Sequence, residues 1–182
     1  MRIRILPFIA IAILFSFVHE QVIGQTTTVY IVRHAEKYLK DTTDKNPPLS
    51  KEGKKRVKAL EKKLKGVKLD AVFSTNTIRT QETAKPLASS NKLDIQNYDA
   101  RELKALAEKI KTNYAGKNVL VVGHSNTLLP TVNALGAITI MAMIPDNVYD
   151  LFFRLTIDSA GKAELVQETY GKASAPSNTT MK

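Results

Sequence analysis

Residues 118–123 read NVLVVG, in which four consecutive apolar residues stand between a polar residue and a glycine. A continuous apolar run of this length is typical of a strand that is buried on both faces of a parallel sheet. Apolar or β-branched runs at 28–32 and 69–74 predict two further strands. Segments with helical spacing lie between these strands. The alternation predicts an α/β fold, a three-layer α/β/α sandwich with a mostly parallel central sheet.

The remaining elements follow from periodicity and from the residues that begin or end helices. Ser50 is a typical helix N-cap, and proline removes a backbone donor, so that a helix is expected to end close to it. The predicted elements are a helix from Ser50 to Gly66, a helix that carries Arg79 and ends near Pro86, a short strand at 93–98, helices at 101–114 and 126–135, and a hairpin of 149–157 with 163–170.

The first residues have the pattern of a signal peptide. Arg2 and Arg4 precede an apolar run at 5–18, which is shorter than the roughly 20 residues that a membrane-spanning helix needs. We expect cleavage after Gly24, with an uncleaved N-terminal anchor as the alternative. The predicted organisation is therefore a signal peptide at 1–24, one domain at 25–171 and a flexible tail at 172–182. This predicts an exported protein, periplasmic or secreted, without stable membrane association after cleavage.

The chain of 182 residues carries a formal charge of +10 and no cysteine. The absence of cysteine excludes disulfides, thiolate metal sites and a cysteine nucleophile. A basic surface attracts anionic substrates or lipid headgroups, but lysines on an amphipathic helix are more often a solvated face. A membrane-surface function of the helix after Ser50 is the corresponding alternative. Nucleic-acid binding is not expected, because no aromatic residues are interspersed with the basic runs.

Two histidines remain after the predicted leader, and each follows a predicted strand. His34 follows the first strand, and His124 follows residues 118–123; Ser74 stands at the end of a third strand. Ligands of open parallel sheets bind at the carboxyl ends of the strands. We therefore expect the two histidines to lie at one edge of the sheet, in a shared site.

Four segments resemble the histidine phosphatase superfamily, in its phosphoglycerate mutase-like branch. Residues 32–36 (VRHAE) resemble its Arg-His-Gly/Ala motif, 74–84 (STNTIRTQETA) its Ser-Thr-x3-Arg-Thr-x2-Thr-Ala segment, and 122–126 (VGHSN) its Gly-His motif. Residues 49–53 (LSKEG) are similar to a helix start that is common in that branch. The motifs occur in the family's order, and the resemblance extends from about residue 28 to residue 170.

The resemblance implies a metal-independent phosphatase without a cofactor. His34 is expected to attack phosphorus and to become transiently phosphorylated, which divides one difficult displacement into two easier ones. Arg33 and Arg79 are expected to bind the phosphoryl oxygens, because the guanidinium group matches them with two parallel hydrogen bonds. His124 is expected to hydrogen-bond the phosphoryl group and, when protonated, to stabilise its charge.

The proton donor to the leaving group is assigned least directly. Glu102 begins a predicted helix in a position comparable to the family's glutamate, and Asp99 is the second candidate. Glu36 is expected to accept from a neighbouring arginine rather than to take part in the chemistry. Asn126 is expected either to cap the following helix or to touch the ligand.

Several functions compete with a phosphatase. Only 34 residues, 85–118, separate the second motif from Val119 in the strand that leads to the third motif, whereas phosphoglycerate mutases carry a longer insertion there that covers the site. An open site favours hydrolysis of a small phosphorylated compound, with a phosphoprotein as the alternative substrate. A protein phosphohistidine phosphatase, a mutase and a non-catalytic phospho-ligand-binding envelope protein remain alternatives. A serine esterase is excluded, because no histidine follows Ser125.

The sequence does not identify the natural substrate. Its determinants are expected in two segments without a recognisable motif, 38–48 and 136–150. The oligomeric state is equally open.

Overall fold

The computed structural model of the chain describes residues 26–39 and 43–174. Among these residues, six strands form one sheet: β1 (Thr27–Arg33), β2 (Ala71–Ser74), β3 (Ile95–Asn97), β4 (Asn118–Gly123), β5 (Leu151–Ile157) and β6 (Ala163–Thr169). Their order across the sheet is β3-β2-β4-β1-β5-β6. The strands β1 to β4 are parallel, whereas β5 runs antiparallel to β1 and forms the predicted hairpin with β6.

In the part of the chain that the structure describes, four helices cover the two faces of the sheet. They are α1 (Lys51–Lys63), α2 (Ile78–Ser90), α3 (Leu103–Asn113) and α4 (Ser125–Ala134). Apolar side chains of α1 and α2 pack with Tyr30 and Val32 on one face, and those of α3 and α4 pack with Val29 and Ile31 on the other. The predicted three-layer α/β/α sandwich with a mostly parallel sheet is therefore confirmed.

The strand at 118–123 lies between β1 and β2, in the interior of the sheet. Val119 and Val121 contribute to the core on one face, and Leu120 and Val122 contribute to the core on the other; all four are fully buried. Side chains of a strand alternate between its two faces. Four consecutive apolar residues are required here because helices cover both faces.

Pro86 does not end α2, and the prediction that it does is wrong. The helix continues through this proline to Ser90. Proline in a helix interior costs about 3 kcal/mol, because it removes a hydrogen bond and crowds the preceding turn. Leu87 and Ala88, which follow Pro86, are buried in the core beside the sheet. Their burial contributes to offsetting that cost.

The N-caps of α1 and α4 can be compared with those that the sequence predicts. Ser50 is the N-cap of α1, as predicted, and its hydroxyl accepts a hydrogen bond from the backbone N–H of Gly53. The N-cap of α4 is His124, so that Asn126 lies inside the helix and is exposed. Asn126 is therefore not the cap that the sequence allowed.

The two ends of the chain are described only in part. The predicted signal peptide, residues 1–24, lies outside the described residues, as do residues 175–182. Lys172 and Ser174 belong to the predicted tail, yet both are hydrogen-bonded to the domain: the carbonyl of Lys172 accepts from Arg56, and Ser174 donates to Asp150. Within 26–39 and 43–174, no helix has the length and apolar character needed to cross a bilayer.

Candidate active site

The carboxyl ends of β1 and β4 bring His34 and His124 together. The backbone N–H of His34 donates to the carbonyl of Gly123 at 2.9 Å, which continues the pairing of the two parallel strands by one residue. The two imidazole rings are 5.4 Å apart between centroids and meet edge to face. The two histidines thus share one edge of the sheet, where the sequence predicted them.

The ring of His34 is held in one tautomer. Its Nδ1 lies 2.8 Å from the carbonyl oxygen of Ala35, which can only accept, so Nδ1 carries the hydrogen and Nε2 retains its lone pair. Burial lowers the pKa of His34 to about 3; the Ala35 carbonyl opposes this shift, and Arg33, Arg79 and His124 add to it. His34 is therefore neutral at pH 7, with a nucleophilic nitrogen.

Hydroxyl groups orient the ring of His124. Its Nε2 lies 2.8 Å from Oγ1 of Thr75, which in turn donates to Oγ1 of Thr80 at 3.1 Å. Burial lowers the pKa of His124 to about 4, with further contributions from Arg79 and Arg33. In the absence of a bound anion, this ring is neutral at pH 7. A phosphoryl group beside it would favour the protonated form that the sequence-based hypothesis assigns to it.

Arg33 is buried and anchors the segment that precedes β5. Its Nη1 donates to the carbonyls of Pro145, Asp146 and Val148 at 3.3, 2.9 and 2.9 Å. The guanidinium carbon lies 4.1 Å from the centroid of the Tyr149 ring, which is within the range of a cation–π interaction. Arg33 therefore holds the irregular segment 137–150 against the site, in addition to its predicted role.

The Nε atoms of Arg33 and Arg79 are both buried, and neither has a hydrogen-bond partner among the described residues. Burial also lowers the pKa of both guanidinium groups. Unpaired buried donors are costly, and a site that contains them is ready to accept an anion. Together with His34 and His124, these two arginines define what we call the phosphate cradle. The structure thus brings together all four principal residues that the sequence predicted.

The second motif contains threonines that support the cradle. Thr83 Oγ1 accepts from the backbone N–H of Ala35 at 3.0 Å and donates to the carbonyl of Arg79 at 2.7 Å. It therefore joins the backbone after His34 to the first turn of α2.

Gly123, in the third motif, has no room for a side chain. A Cβ at this position would lie 2.7 Å from Oγ1 of Thr127 and 2.8 Å from the hydroxyl of Tyr98.

The predicted proton donors lie apart from these contacts. Glu102 is exposed at the N-cap of α3, and none of the described hydrogen bonds or ion pairs links its carboxylate to the cradle. Asp99 pairs with Arg101, whose hydrogen bonds lower the pKa of Asp99 to about 2. The role of Glu102 stays a prediction. Glu36 accepts from Arg56 at 2.9 Å, as expected.

Three residues that the sequence did not assign to the site contact it. Tyr149 stacks on Arg33 and lies 6.0 Å from the His34 ring between centroids. Asp146 lies 3.7 Å from Arg33 and accepts from Ser125 at 3.2 Å. Thr75 contacts His124. Thr75 is part of the quoted second motif and was detectable there, whereas Tyr149 and Asp146 lie in a segment without any motif.

The site is defined by neutral imidazoles and arginines rather than by carboxylates. Among the residues that the structure describes, no group of three or more His, Asp or Glu side chains is arranged to hold a metal ion. Two arginines with unpaired buried donors suit a tetrahedral oxyanion, and a neutral histidine beside them suits attack on phosphorus. The fold and the site define an α/β protein with an anion cradle at the carboxyl edge of a mostly parallel sheet.

Residues 29–103 match the model of a family described as histidine phosphatase superfamily, branch 1. This segment contains Arg33, His34 and Arg79, and the match confirms the resemblance that the motifs predicted. Over these residues the chain is similar to the histidine phosphatase superfamily, and its motifs resemble those of the phosphoglycerate mutase-like branch. No curated protein matches the sequence significantly.

Solved structures share the fold at low sequence identity. The protein histidine phosphatase SixA, bound to tungstate, has a TM-score of 0.63 at 20% identity, over 78% of this chain and 96% of that chain. An Escherichia coli protein described as an α-ribazole-5′-phosphate phosphatase has a TM-score of 0.62 at 15% identity, over 82% and 98%. A Plasmodium falciparum phosphoglycerate mutase has a TM-score of 0.55 at 19% identity, over 87% and 98%. At such identities the likeness establishes the fold.

Proposed function

We propose that this protein is an exported phosphatase that hydrolyses a phosphate monoester, or a related phosphorylated compound, through a phosphohistidine intermediate on His34. The observation that carries this proposal is the pairing of a neutral His34, whose Nε2 retains its lone pair, with two arginines whose buried Nε donors lack partners. The family supports phosphatase or mutase chemistry in general. Export rests on the leader pattern in residues 1–24.

The first chemical step forms a nitrogen–phosphorus bond. The lone pair of Nε2 attacks phosphorus while the bond from phosphorus to the ester oxygen breaks, and a proton is delivered to that oxygen unless the leaving group is stable as an anion. Hydrogen bonds from Arg33 and Arg79 stabilise the charge on the phosphoryl oxygens. The hydrogen stays on Nδ1 and is donated to the Ala35 carbonyl oxygen, whose partial negative charge stabilises the positive charge that develops on the ring.

The second step transfers the phosphoryl group to water. Water attacks phosphorus, the nitrogen–phosphorus bond breaks and the electron pair returns to Nε2, while the proton that the water loses is taken up by the product phosphate or by solvent. Residues 85–118 form only the end of α2, β3 and α3, with no further helix between the second motif and β4. The absence of an inserted cover in this segment supports hydrolysis over mutase chemistry, which requires that the phosphorylated intermediate be retained.

A phosphatase assay with an aryl phosphate tests the proposal. We expect wild type to release phosphate and His34→Ala to lose at least about 10³-fold in kcat/KM, because the nucleophile is removed. Brief incubation, a quench that avoids acid, and mass spectrometry should place the phosphoryl group on residue 34. Ser125→Ala is the matched control, since this hydroxyl lies next to His124, and it should keep the label on His34.

Three outcomes would contradict the mechanism. Equal, slow release by wild type and His34→Ala would indicate a non-catalytic phospho-ligand-binding protein. Label on Ser125, or turnover without label on residue 34, would indicate a different nucleophile. A phosphohistidine-bearing protein, offered in parallel with small esters, distinguishes a protein phosphohistidine phosphatase from a small-molecule enzyme.

A further inference from the structure

A cleft of about 440 Å³ lies between α4 and the irregular segment 137–150. Most of its lining is apolar and comes from these two parts of the chain. The apolar lining residues are Leu129, Pro130, Ala142, Met143 and Ile144. None of these side chains takes part in the mechanism described above.

The polar end of this cleft adjoins the phosphate cradle. Ser125 and Asp146 line that end, and the Ser125 hydroxyl donates to Asp146 at 3.2 Å. Ser125 directly follows His124, and Asp146 lies 3.7 Å from Arg33. A phosphate ester whose phosphoryl group is bound in the cradle would therefore have an apolar surface within reach of its organic part.

The same segment exposes large apolar side chains. Ile138, Ile140 and Met143 are 89%, 104% and 71% exposed. Of these three, only Met143 lines the cleft. An apolar side chain at the edge of an apolar cleft loses contact with water when an apolar ligand binds, which favours binding.

A second groove lies on the other side of Asp146. It is lined by Tyr149 and Leu39 but also by the charged side chains of Glu52, Lys55 and Lys172. This groove therefore combines apolar surface with several charged groups, whereas Asp146 is the one charged residue among the described residues that line the cleft beside α4. Variants at Ala142 and Met143, which line the cleft and not the groove, distinguish the two candidate sites for the organic group.

We propose that the substrate is an amphiphilic phosphomonoester, whose alkyl or aryl group binds in the cleft between α4 and the segment 137–150 while its phosphate occupies the cradle. This inference rests on the proposed phosphatase function. Burial of each methylene group in an apolar site favours binding, and the gain corresponds to about a three- to fourfold increase in kcat/KM per methylene.

A series of alkyl phosphates from ethyl to octyl, below the concentrations at which they form micelles, tests this inference. We expect kcat/KM to rise about three- to fourfold per methylene and to level off once the chain is longer than the cleft. Ala142→Asp and Met143→Ser should each reduce the ratio of octyl to ethyl phosphate hydrolysis. The ratio cancels any effect on the phosphate group itself, because both esters carry the same charge.

Ile140→Ser is the matched control. Ile140 is even more exposed than Met143 and lies in the same segment, but it does not line the cleft, so this variant should keep the wild-type ratio. A flat or falling series, a preference for glycerol phosphate over octyl phosphate, or an unchanged ratio in Ala142→Asp would overturn the inference alone. Failure to hydrolyse any ester, with no label on residue 34, would instead overturn the proposed function.

Discussion

His34 is buried without an opposite charge to stabilise its protonated form. The side chains of Arg33 and Arg79 lie close enough to oppose protonation further. A neutral imidazole is what nucleophilic attack requires. The same environment imposes a dependence of stability on pH, which can be measured without knowledge of the substrate.

The free energy of unfolding should fall as the pH drops below the pKa of an unfolded histidine. The pKa of His34 is about 3 in the folded protein and 6.5 when unfolded, so between these values the unfolded chain binds a proton that the folded chain does not. The stabilisation that comes from His34 being neutral in the folded protein is complete above pH 6.5. This contribution to the free energy of unfolding should fall by about 2 to 3 kcal/mol by pH 4.5.

Urea denaturation at pH 7.5 and pH 4.5, in buffer without phosphate, measures this effect. His34→Asn removes the titrating group, and its loss of stability between the two pH values should be smaller than that of wild type. The difference between the two proteins cancels the contribution of surface carboxylates. An identical loss in both would show that His34 is protonated in the folded state.

Two carboxylates compete for the role of proton donor. The sequence points to Glu102, whereas the contacts point to Asp146, which lies beside Arg33 and Ser125. A general acid contributes about 10² to 10⁴ in rate, and chiefly for a poor leaving group. We expect Asp146→Asn to slow hydrolysis of an alkyl phosphate at least about tenfold while leaving an aryl phosphate nearly unchanged.

Comparison of Asp146→Asn with Glu102→Gln decides which of the two carboxylates is the proton donor. Because Glu102 has no described contact with the cradle, we expect this variant to change both esters by less than about twofold, within the scatter of surface substitutions. A selective loss on the alkyl ester in Glu102→Gln would instead restore the assignment made from the sequence. Steady-state kinetics of both variants on both esters provide the measurement.

At the scale of elements, the start of α1 supports the loop that follows His34. The backbone carbonyl of Glu36 accepts a hydrogen bond from the backbone N–H of Ser50 at 2.8 Å. A Cβ at Gly53 would lie 2.2 Å from that carbonyl oxygen, a distance that no real contact adopts. The helix can approach the loop this closely only because residue 53 has no side chain.

Gly53→Ala should therefore destabilise the protein, although alanine is the better helix former. We expect a loss of about 1 to 3 kcal/mol, since the clash involves backbone atoms that cannot move independently of the site. Lys54→Ala, at the adjacent exposed position, is the control and should change stability by less than about 0.5 kcal/mol. Urea denaturation measures both, and a Gly53→Ala variant that is more stable than wild type would contradict the packing described.

At the scale of the whole molecule, Arg56 joins parts that are distant in the chain. Its guanidinium group binds both carboxylate oxygens of Glu36 and donates to the carbonyls of Tyr170 and Lys172 at 2.9 Å. The side chain of Arg56 is 4% exposed and that of Glu36 is 24% exposed. One buried cation thus links α1, the loop after His34 and the chain after β6.

Arg56→Lys should lose most of this network, because an ammonium group cannot reproduce the planar fork. We expect a loss of about 2 to 3 kcal/mol, somewhat below the cost of breaking a fully buried pair, since Glu36 is partly solvated. Arg154→Lys, in the more exposed pair with Glu168, should cost less than about 1 kcal/mol. Equal losses in a thermal or urea unfolding experiment would show that burial does not distinguish the two pairs.

The amino-acid sequence alone predicts the fold class, the two histidines at neighbouring strand ends and the arginines beside them. These features are readable because alternation, apolar runs and short motifs are local, and because parallel strands deliver their carboxyl ends to one edge. The local rule that a helix ends near a proline gave the wrong end for α2. The rule fails because Leu87 and Ala88, which follow the proline, are buried by packing against the sheet.

The residues that complete the site from distant parts of the chain are visible in the folded protein and not in the sequence. Arg33 contacts Asp146 and Val148, and Arg56 contacts Tyr170, across more than a hundred residues of chain. Such contacts leave no periodicity or motif in the sequence, because the residues around each partner reflect its own secondary structure and not the distant residue that it contacts. The same holds for the cleft beside Asp146, whose apolar walls come from a helix and an irregular segment that meet only in the folded protein.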